Sequence, residues 1–314
     1  MKSTYILGIS CFYHDASAAL LKDGKIVAAA AEERFSRLKH DTSFPLQAIT
    51  YCLESQNITI KEVHSVAFYE KPFLKLERLL YQHLEKFPLS LQIFLKATPS
   101  WLTEKLRVVK ILRKKLKYAG DIFFIPHHLA HAGSSFLISP FEQAAVLTVD
   151  GVGEWTTSAL GKGEGNTISL FKEIKFPHSL GLFYSAITAY LGFQVNDAEY
   201  KVMGLAAHGF QDKKGNPYYE KLKRVIDVKE DGSFRLNLTY FSFHYIERMP
   251  SPKLCELLDG PIREAGAEIT QRHKDIAAAL QMILEKVILK MLHYLFERTK
   301  CDSIVLAGGV ALNS

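Results

Sequence analysis

Residues 144–162 read AAVLTVDGVGEWTTSALGK, and residues 4–22 read TYILGISCFYHDASAALLK. A shift of 140 residues lays one on the other without a gap. Ile6-Leu7 falls on Val146-Leu147, Ile9 on Val149 and Ser10 on Asp150; Ala19-Leu20 falls on Ala159-Leu160 and Lys22 on Lys162. Each copy reads as a strand, a polar turn, a return strand of small residues and a glycine-containing turn into a third strand. In the first copy that last turn is Lys22-Asp-Gly-Lys25, where Asp-Gly tolerates positive φ and closes a hairpin. In the second, Ala144–Asp150 is a near-continuous apolar run of the kind buried on both faces of a sheet. The period is far too long for a solenoid. It predicts instead a duplicated α/β domain, whose two halves enclose a ligand cleft.

Working outward, strands are predicted at Tyr5–Ser10, Ser17–Lys22 and Ile26–Ala31, a helix at Phe44–Leu53 and a strand at Ser65–Tyr69. Residues 73–117 are helical in pattern but broken by Pro88 and Pro99, so 71–118 read as a helical insertion into the first half, 1–142. The second half, 143–314, has strands at Thr156–Gly161, Ile168–Lys175 and Ser303–Leu306. Helices are expected at 181–191, 217–227 and 268–298. Gly308-Gly309 ends the last strand and is expected to open a further helix.

Composition narrows the class. The chain has 314 residues, 48% hydrophobic and 23% charged, with a mean hydropathy of +0.01. That is globular, and excludes disorder, collagen and coiled coil. Cys11, Cys52, Cys255 and Cys301 show no paired spacing, which argues against a disulfide scaffold or zinc ribbon and for a reducing cytoplasm. Met1-Lys-Ser-Thr runs straight into a strand, so no signal peptide is read. No apolar run approaches the roughly 18 residues that span a bilayer. The net charge is +6, and residues 104–117 (EKLRVVKILRKKLK) hold seven Lys/Arg against one Glu. The plain account is a solvated amphipathic helix with Leu106, Val109, Leu112 and Leu116 inward; the other is a basic surface for an anionic partner. Nucleic acid is disfavoured, for want of aromatic interleaving or a known binding signature.

Five clusters carry chemistry. In Pro126-His127-His128-Leu129-Ala130-His131, His127 and His131 are four apart and share a helix face, a spacing that suits two nitrogen ligands on one divalent metal. A zinc protease would need Glu where His128 stands. Asp150, ending a buried strand, is the best oxygen ligand, since an ionised carboxylate there needs a cation or donors. The alternative is that the histidines merely cap or pack the helix. Second, Gly151 and Gly153 let backbone amides approach an anion, with Glu154 either a positioning group or a solvated turn residue. Third, His14-Asp15 and the charged run Glu32–Asp41 follow buried strands; such a run is more often solvated loop than site. Fourth is Asn196–Leu205, where Glu199 and Lys201 bracket a Tyr. Fifth, Leu306–Asn313 carries a Gly-Gly turn able to hold a nucleotide.

Taken together, GISCFYHDASAALLKDGKIVAAAAEERFSRLKHD (8–41), HHLAHAGSSF (127–136), VLTVDGVGEWTT (146–157), EYKVMGLAAHG (199–209) and LAGGVALNS (306–314) resemble the N-terminal domain of the nodulation- and antibiotic-type O-carbamoyltransferases. The resemblance implies a duplicated actin-like ATPase/sugar-kinase (ASKHA) fold, shared with the universal tRNA threonylcarbamoyl transferase. It implies that carbamoyl phosphate and ATP are converted to carbamoyl-adenylate, whose carbamoyl group passes to a hydroxyl of a sugar or antibiotic. It implies an iron-type divalent ion on His127, His131 and Asp150. His14 and Lys39 match positions facing the reacting carbamoyl group or the acceptor, and Gly308, Gly309 and Asn313 match the nucleotide-holding turn. Members continue past this motif with a helix, a strand, a second metal-ligating Asp and a YrdC-like domain that makes the adenylate. The second half is therefore expected to be truncated at its C-terminus. The expected setting is a cytoplasmic carbamoyltransferase with a small hydroxyl acceptor and no membrane or nucleic-acid partner, compatible with a homo-oligomer. Two other readings stand beside it: a kinase-like phosphotransferase, which would hold Mg²⁺ through carboxylates and water, and a non-enzymatic nucleotide-binding module.

Overall fold

The computed structural model describes residues 3–313; Ser314, the last residue of the 306–314 motif, lies outside the described residues. β1 (Tyr5–Ser10), β2 (Ser17–Lys22) and β3 (Lys25–Ala31) form an antiparallel meander. Asp23 and Gly24, at φ of 50° and 81°, make the β2–β3 turn as the Asp-Gly pair predicts. After α1 (Glu33–Ser36) and α2 (Leu46–Glu54), β4 (Val63–Phe68) returns parallel to β1. Then come α3 (Pro72–Glu85), α4 (Leu91–Thr103), α5 (Val108–Leu116) and β5 (Asp121–Phe124), which lies parallel beside β4. The sheet order is β3-β2-β1-β4-β5.

The second sheet repeats this connectivity. α6 (His127–Phe136) leads to the antiparallel β6 (Gln143–Val149), β7 (Thr156–Glu164) and β8 (Thr167–Lys175). There follow α7 (Leu180–Tyr190), α8 (Glu199–Ala206), α9 (Tyr219–Lys223), a small hairpin of β9 (Ile226–Val228) and β10 (Phe234–Leu236), α10 (Pro252–Leu257) and the long α11 (Gln271–Thr299). β11 (Ile304–Ala307) then pairs parallel to β6, giving β11-β6-β7-β8. The duplication holds down to register: Leu7 pairs with Leu20, and Leu147 with Leu160. This is the duplicated α/β architecture expected from the sequence and implied by the resemblance.

The compact units divide inside α6 rather than between the sheets. One comprises Met1–Glu77 and Phe94–Ala130, the other Arg78–Ile93 and His131–Ser314. Within the first, α2 and α5 cover the sheet face bearing Leu7, Ile9, Leu20 and Val66. Within the second, β6 is buried on both faces, as its apolar run predicts. Ala145, Leu147 and Val149 join the large core of α7 and α11. Ala144 and Val146 meet Ala132 and Phe136 of α6. Full burial of each such leucine or valine contributes about 1.5–3 kcal/mol, so α6 is seated firmly on the strand that ends at Asp150.

Local expectations needed adjustment in places. Pro99 lies inside α4 rather than ending it. The basic segment begins with a 3₁₀ turn, Lys105–Arg107, and α5 starts only at Val108. That start puts Val108, Leu112 and Leu116 on the buried face and leaves Val109 exposed. Arg107, Lys110, Arg113, Lys114, Lys115 and Lys117 are all exposed, as both the solvated amphipathic helix and a basic docking surface require. The helix expected over 217–227 stops at Lys223, and residues 226–228 form a strand instead. Gly309–Leu312 is a 3₁₀ turn, where an α-helix was expected to open.

Candidate metal centre and the reactive turns

α6 buries His128, Ala132 and Phe136 at four-residue intervals. Those contacts rotate the adjacent stripe, His127 and His131, toward the end of β6. One ligand atom from each of His127, His131 and Asp150 lies within 4.8 Å of the others. His131 Nε2 is 3.3 Å from Asp150 Oδ2. The grouping depends on one helix and one strand end. Two borderline nitrogens and a carboxylate oxygen, all half-buried, form a donor set that fits a divalent first-row metal.

The surroundings aim Asp150. Its Oδ1 accepts from the Gly309 N–H at 3.3 Å. Gly308 sits at φ 95°, and a Cβ there would lie 2.3 Å from the Val149 carbonyl oxygen. Only glycine permits β11 to approach β6 this closely before the chain turns. Behind Asp150, Ser179 caps α7: its Oγ accepts from Leu182 N at 3.0 Å and donates to the Gly151 carbonyl at 2.6 Å. A Cβ on Gly181 would lie 2.7 Å from the Asp150 oxygen and the Gly151 nitrogen. The first turn of α7 therefore packs directly on the Asp150-Gly151 backbone. Neither Ser179 nor Gly181 was singled out from sequence; the signal was a Ser-Leu-Gly helix start shortly after the strand that ends at Lys175.

The residues assigned to the nucleotide fare differently from one another. Gly151 has open space around its Cβ position. The Gly153 N–H donates to the Thr156 carbonyl at 2.9 Å, so that amide is engaged in closing the turn. Glu154 is buried, which removes the solvated-turn alternative. Gly309 serves Asp150. The Asn313 side chain is paired reciprocally with Gln281 of α11, at 2.7 and 3.2 Å. Glu199 accepts from Ser185 Oγ at 2.8 Å and from the Asn196 N–H at 3.0 Å, and so fastens α7 to α8.

In the first unit, His14 lies in the β1–β2 turn with its side chain half exposed. Asp15 accepts from His14 Nδ1 and, through its other oxygen, from His40 Nδ1, both at 2.8 Å. Burial pushes the Asp15 carboxyl up, but the hydrogen bonds from His40 and His14 outweigh it and hold it below its ordinary range. In the neutral ring, a bond donated from Nδ1 makes Nε2 the lone-pair nitrogen. The segment after α1 is laced to this turn as well. Phe12 N donates to the Thr42 carbonyl at 2.9 Å, and Ala16 N to the Asp41 carbonyl at 2.8 Å. Lys39 is exposed in that segment, one residue before His40. Glu32, by contrast, is structural: its buried carboxylate accepts from the N–H groups of Gln47 and Ala48 in the first turn of α2. Asp15 was visible in sequence beside His14, and His40 only as a member of the charged run that follows.

The family model described as carbamoyltransferase N-terminus matches residues 5–314. The uncharacterized protein sll1178 of Synechocystis sp. is 48% identical over 320 residues, covering 99% of this chain and 51% of its own length. The nodulation protein NolNO of Sinorhizobium fredii is 33% identical over 309 residues, covering 96% of this chain and 41% of its own. The chain thus spans about half the length, or less, of these curated relatives. Among solved structures, component A of the (R)-2-hydroxyglutaryl-CoA dehydratase of Acidaminococcus fermentans is 14% identical with a TM-score of 0.43, covering 99% of this chain and 85% of that one.

Proposed function

Because the chain belongs to the carbamoyltransferase N-terminal family, we propose that it carries out the transfer step of an O-carbamoylation. In this reading the carbamoyl group of carbamoyl-adenylate passes to a hydroxyl of a sugar or natural product. The donor is made from carbamoyl phosphate and ATP by a YrdC-like partner domain, as the resemblance implies. The strongest support from this chain is the grouping of His127, His131 and Asp150. These residues would hold a divalent ion of the iron class. When bound, that ion supplies Lewis-acid stabilisation of the negative charge that develops on the reacting donor.

The chain's own groups supply the rest. A mixed anhydride is already activated, so the protein must orient it and take a proton from the acceptor. His14, with Nδ1 bonded to ionised Asp15, presents Nε2 to the acceptor O–H and receives its proton. The acceptor oxygen then bonds to the carbamoyl carbon as the bond from that carbon to the adenylate phosphate oxygen breaks. AMP leaves as an anion, and the Lys39 ammonium offsets its charge.

The test is product analysis on the native full-length protein, given carbamoyl phosphate, ATP and a panel of hydroxylated acceptors. Mass spectrometry should find a carbamoylated acceptor together with AMP. A phosphorylated acceptor with ADP would replace this reading by the kinase-like one, and binding without turnover would favour a nucleotide-binding module.

A further inference from the structure

β4 ends at Phe68, and the chain passes through Tyr69, Glu70 and Lys71 into α3. Lys75, in the first turns of α3, donates to Glu70 Oε2 at 2.6 Å. The Lys75 and Glu70 side chains are 9% and 4% exposed. A buried ion pair of this kind is weak as a stabilising device, because desolvating two charges offsets most of their attraction. Its position suggests a use. It sits at the C-terminal end of the parallel strands β1 and β4, where open α/β sheets bind ligands.

Two chains of contact leave the pair, both within the first unit. On one side the Tyr69 ring stands edge-on to His127, 5.8 Å between centroids. The Cys11 thiol and Tyr69 phenol, pushed up first by burial and then by the Glu70 charge, stay neutral beside the carboxylate. On the other side Lys75 Nζ lies 4.8 Å from the centre of the Tyr13 ring, and that ring packs against the His14 imidazole at 4.5 Å. His14 is too exposed to be held by burial. Its ring is restrained by Asp15 at one edge and by Tyr13 on the other side.

We propose that Lys75 is a positioning residue: its ammonium, anchored by Glu70, clamps the Tyr13 ring and so fixes the His14 imidazole for proton transfer. The attraction is between the buried Lys75 ammonium and the face of a Tyr13 ring that is itself 44% exposed, so it needs the charge and not merely the stem of Lys75. The proposal rests on the reading above, in which His14 takes the acceptor proton.

The experiment compares Lys75→Arg, Lys75→Met, Glu70→Gln and the double variant Glu70→Gln/Lys75→Met in the native full-length protein. The double variant leaves no lone buried charge, so it is the one expected to fold as wild type. It should keep its bound metal and a KM for the donor within about twofold, while kcat falls about 10- to 100-fold. Lys75→Arg, which keeps a cation over the ring, should recover most of that loss. Tyr13→Phe should be near wild type, and Tyr13→Ala as slow as the double variant. A double variant with wild-type kcat would show that Lys75 does no more than neutralise Glu70, and would overturn the proposal. The nuclear Overhauser contact between the Tyr13 and His14 rings reads the clamp without any turnover. It should weaken in the double variant, and its full retention there would also overturn the proposal. Absence of carbamoyl transfer in the wild type would instead sink the transfer reading.

Discussion

The backbone N–H of Gly309 donates to Oδ1 of Asp150 at 3.3 Å, across 159 residues of chain. The other oxygen of that carboxylate is the one near His131 Nε2. Gly309 therefore orients the carboxylate and leaves Oδ2 turned toward the histidines, as the outer partners of metal ligands do. Gly308 makes the approach possible, so Gly308→Ala should act on both fold and site. The expected cost is about 2–3 kcal/mol in chemical denaturation, from a strained φ and a clash with Val149. Divalent-metal affinity should drop at least about tenfold by calorimetry. Wild-type values for both would refute this role for Gly308.

His127→Ala removes one of the three proposed ligands while leaving α6 seated through Ala132 and Phe136. Elemental analysis should show most of the bound metal lost, with the circular dichroism spectrum unchanged. Wild-type metal content in the variant would eliminate the site.

Asp15 holds both His14 and His40 by Nδ1, so Asp15→Asn should leave His14 present but in no fixed tautomer. Carbamoyl transfer should fall about 100-fold, with metal content intact. His14→Asn and Lys39→Ala should each cost roughly the same in steady-state kinetics. A variant that transfers at the wild-type rate removes its residue from the mechanism.

Stability should depend on pH through buried imidazoles. Burial, together with Lys86, drives the His244 ring down to about 4, against an opposing pull from Glu85. Burial also lowers His83, His178 and His273, with Arg235 adding to the effect at His178, and Arg272 and Arg263 at His273. The folded protein therefore binds fewer protons than the unfolded chain between about pH 6.5 and 4, and stability falls as pH drops through that window. In urea denaturation at pH 7 and pH 5, His244→Gln should narrow the difference by about 1–2 kcal/mol. An unchanged difference would mean that His244 takes up its proton alike in the folded and unfolded states.

Much of the architecture was legible in the residues because its signals are local. The apolar run at Ala144–Val149, the Asp23-Gly24 turn and the match of Leu7/Leu20 to Leu147/Leu160 are all written over a few residues. Strand alternation and turn chemistry follow from the chain's own geometry. The His127/His131 spacing is local in the same way, being one turn of helix. Where α5 began was not legible: a 3₁₀ turn ahead of it moved the buried stripe from Val109 to Val108, a difference decided by packing on the first sheet.

The pairings that aim the chemistry were settled only by tertiary structure. Asp15 and His40 are 25 residues apart, and the sequence pointed instead to Lys39, their exposed neighbour. Gly309 reaches Asp150 because β11 lies beside β6, and Gly181 matters because α7 packs against the end of that strand. Lys75 and Glu70 look from sequence like ordinary surface charges on a helix start. Sequence carries residue type and spacing along the chain. Hydrogen bonds and ion pairs depend on distances through space, and those exist only once the strands have paired and the helices have packed over them.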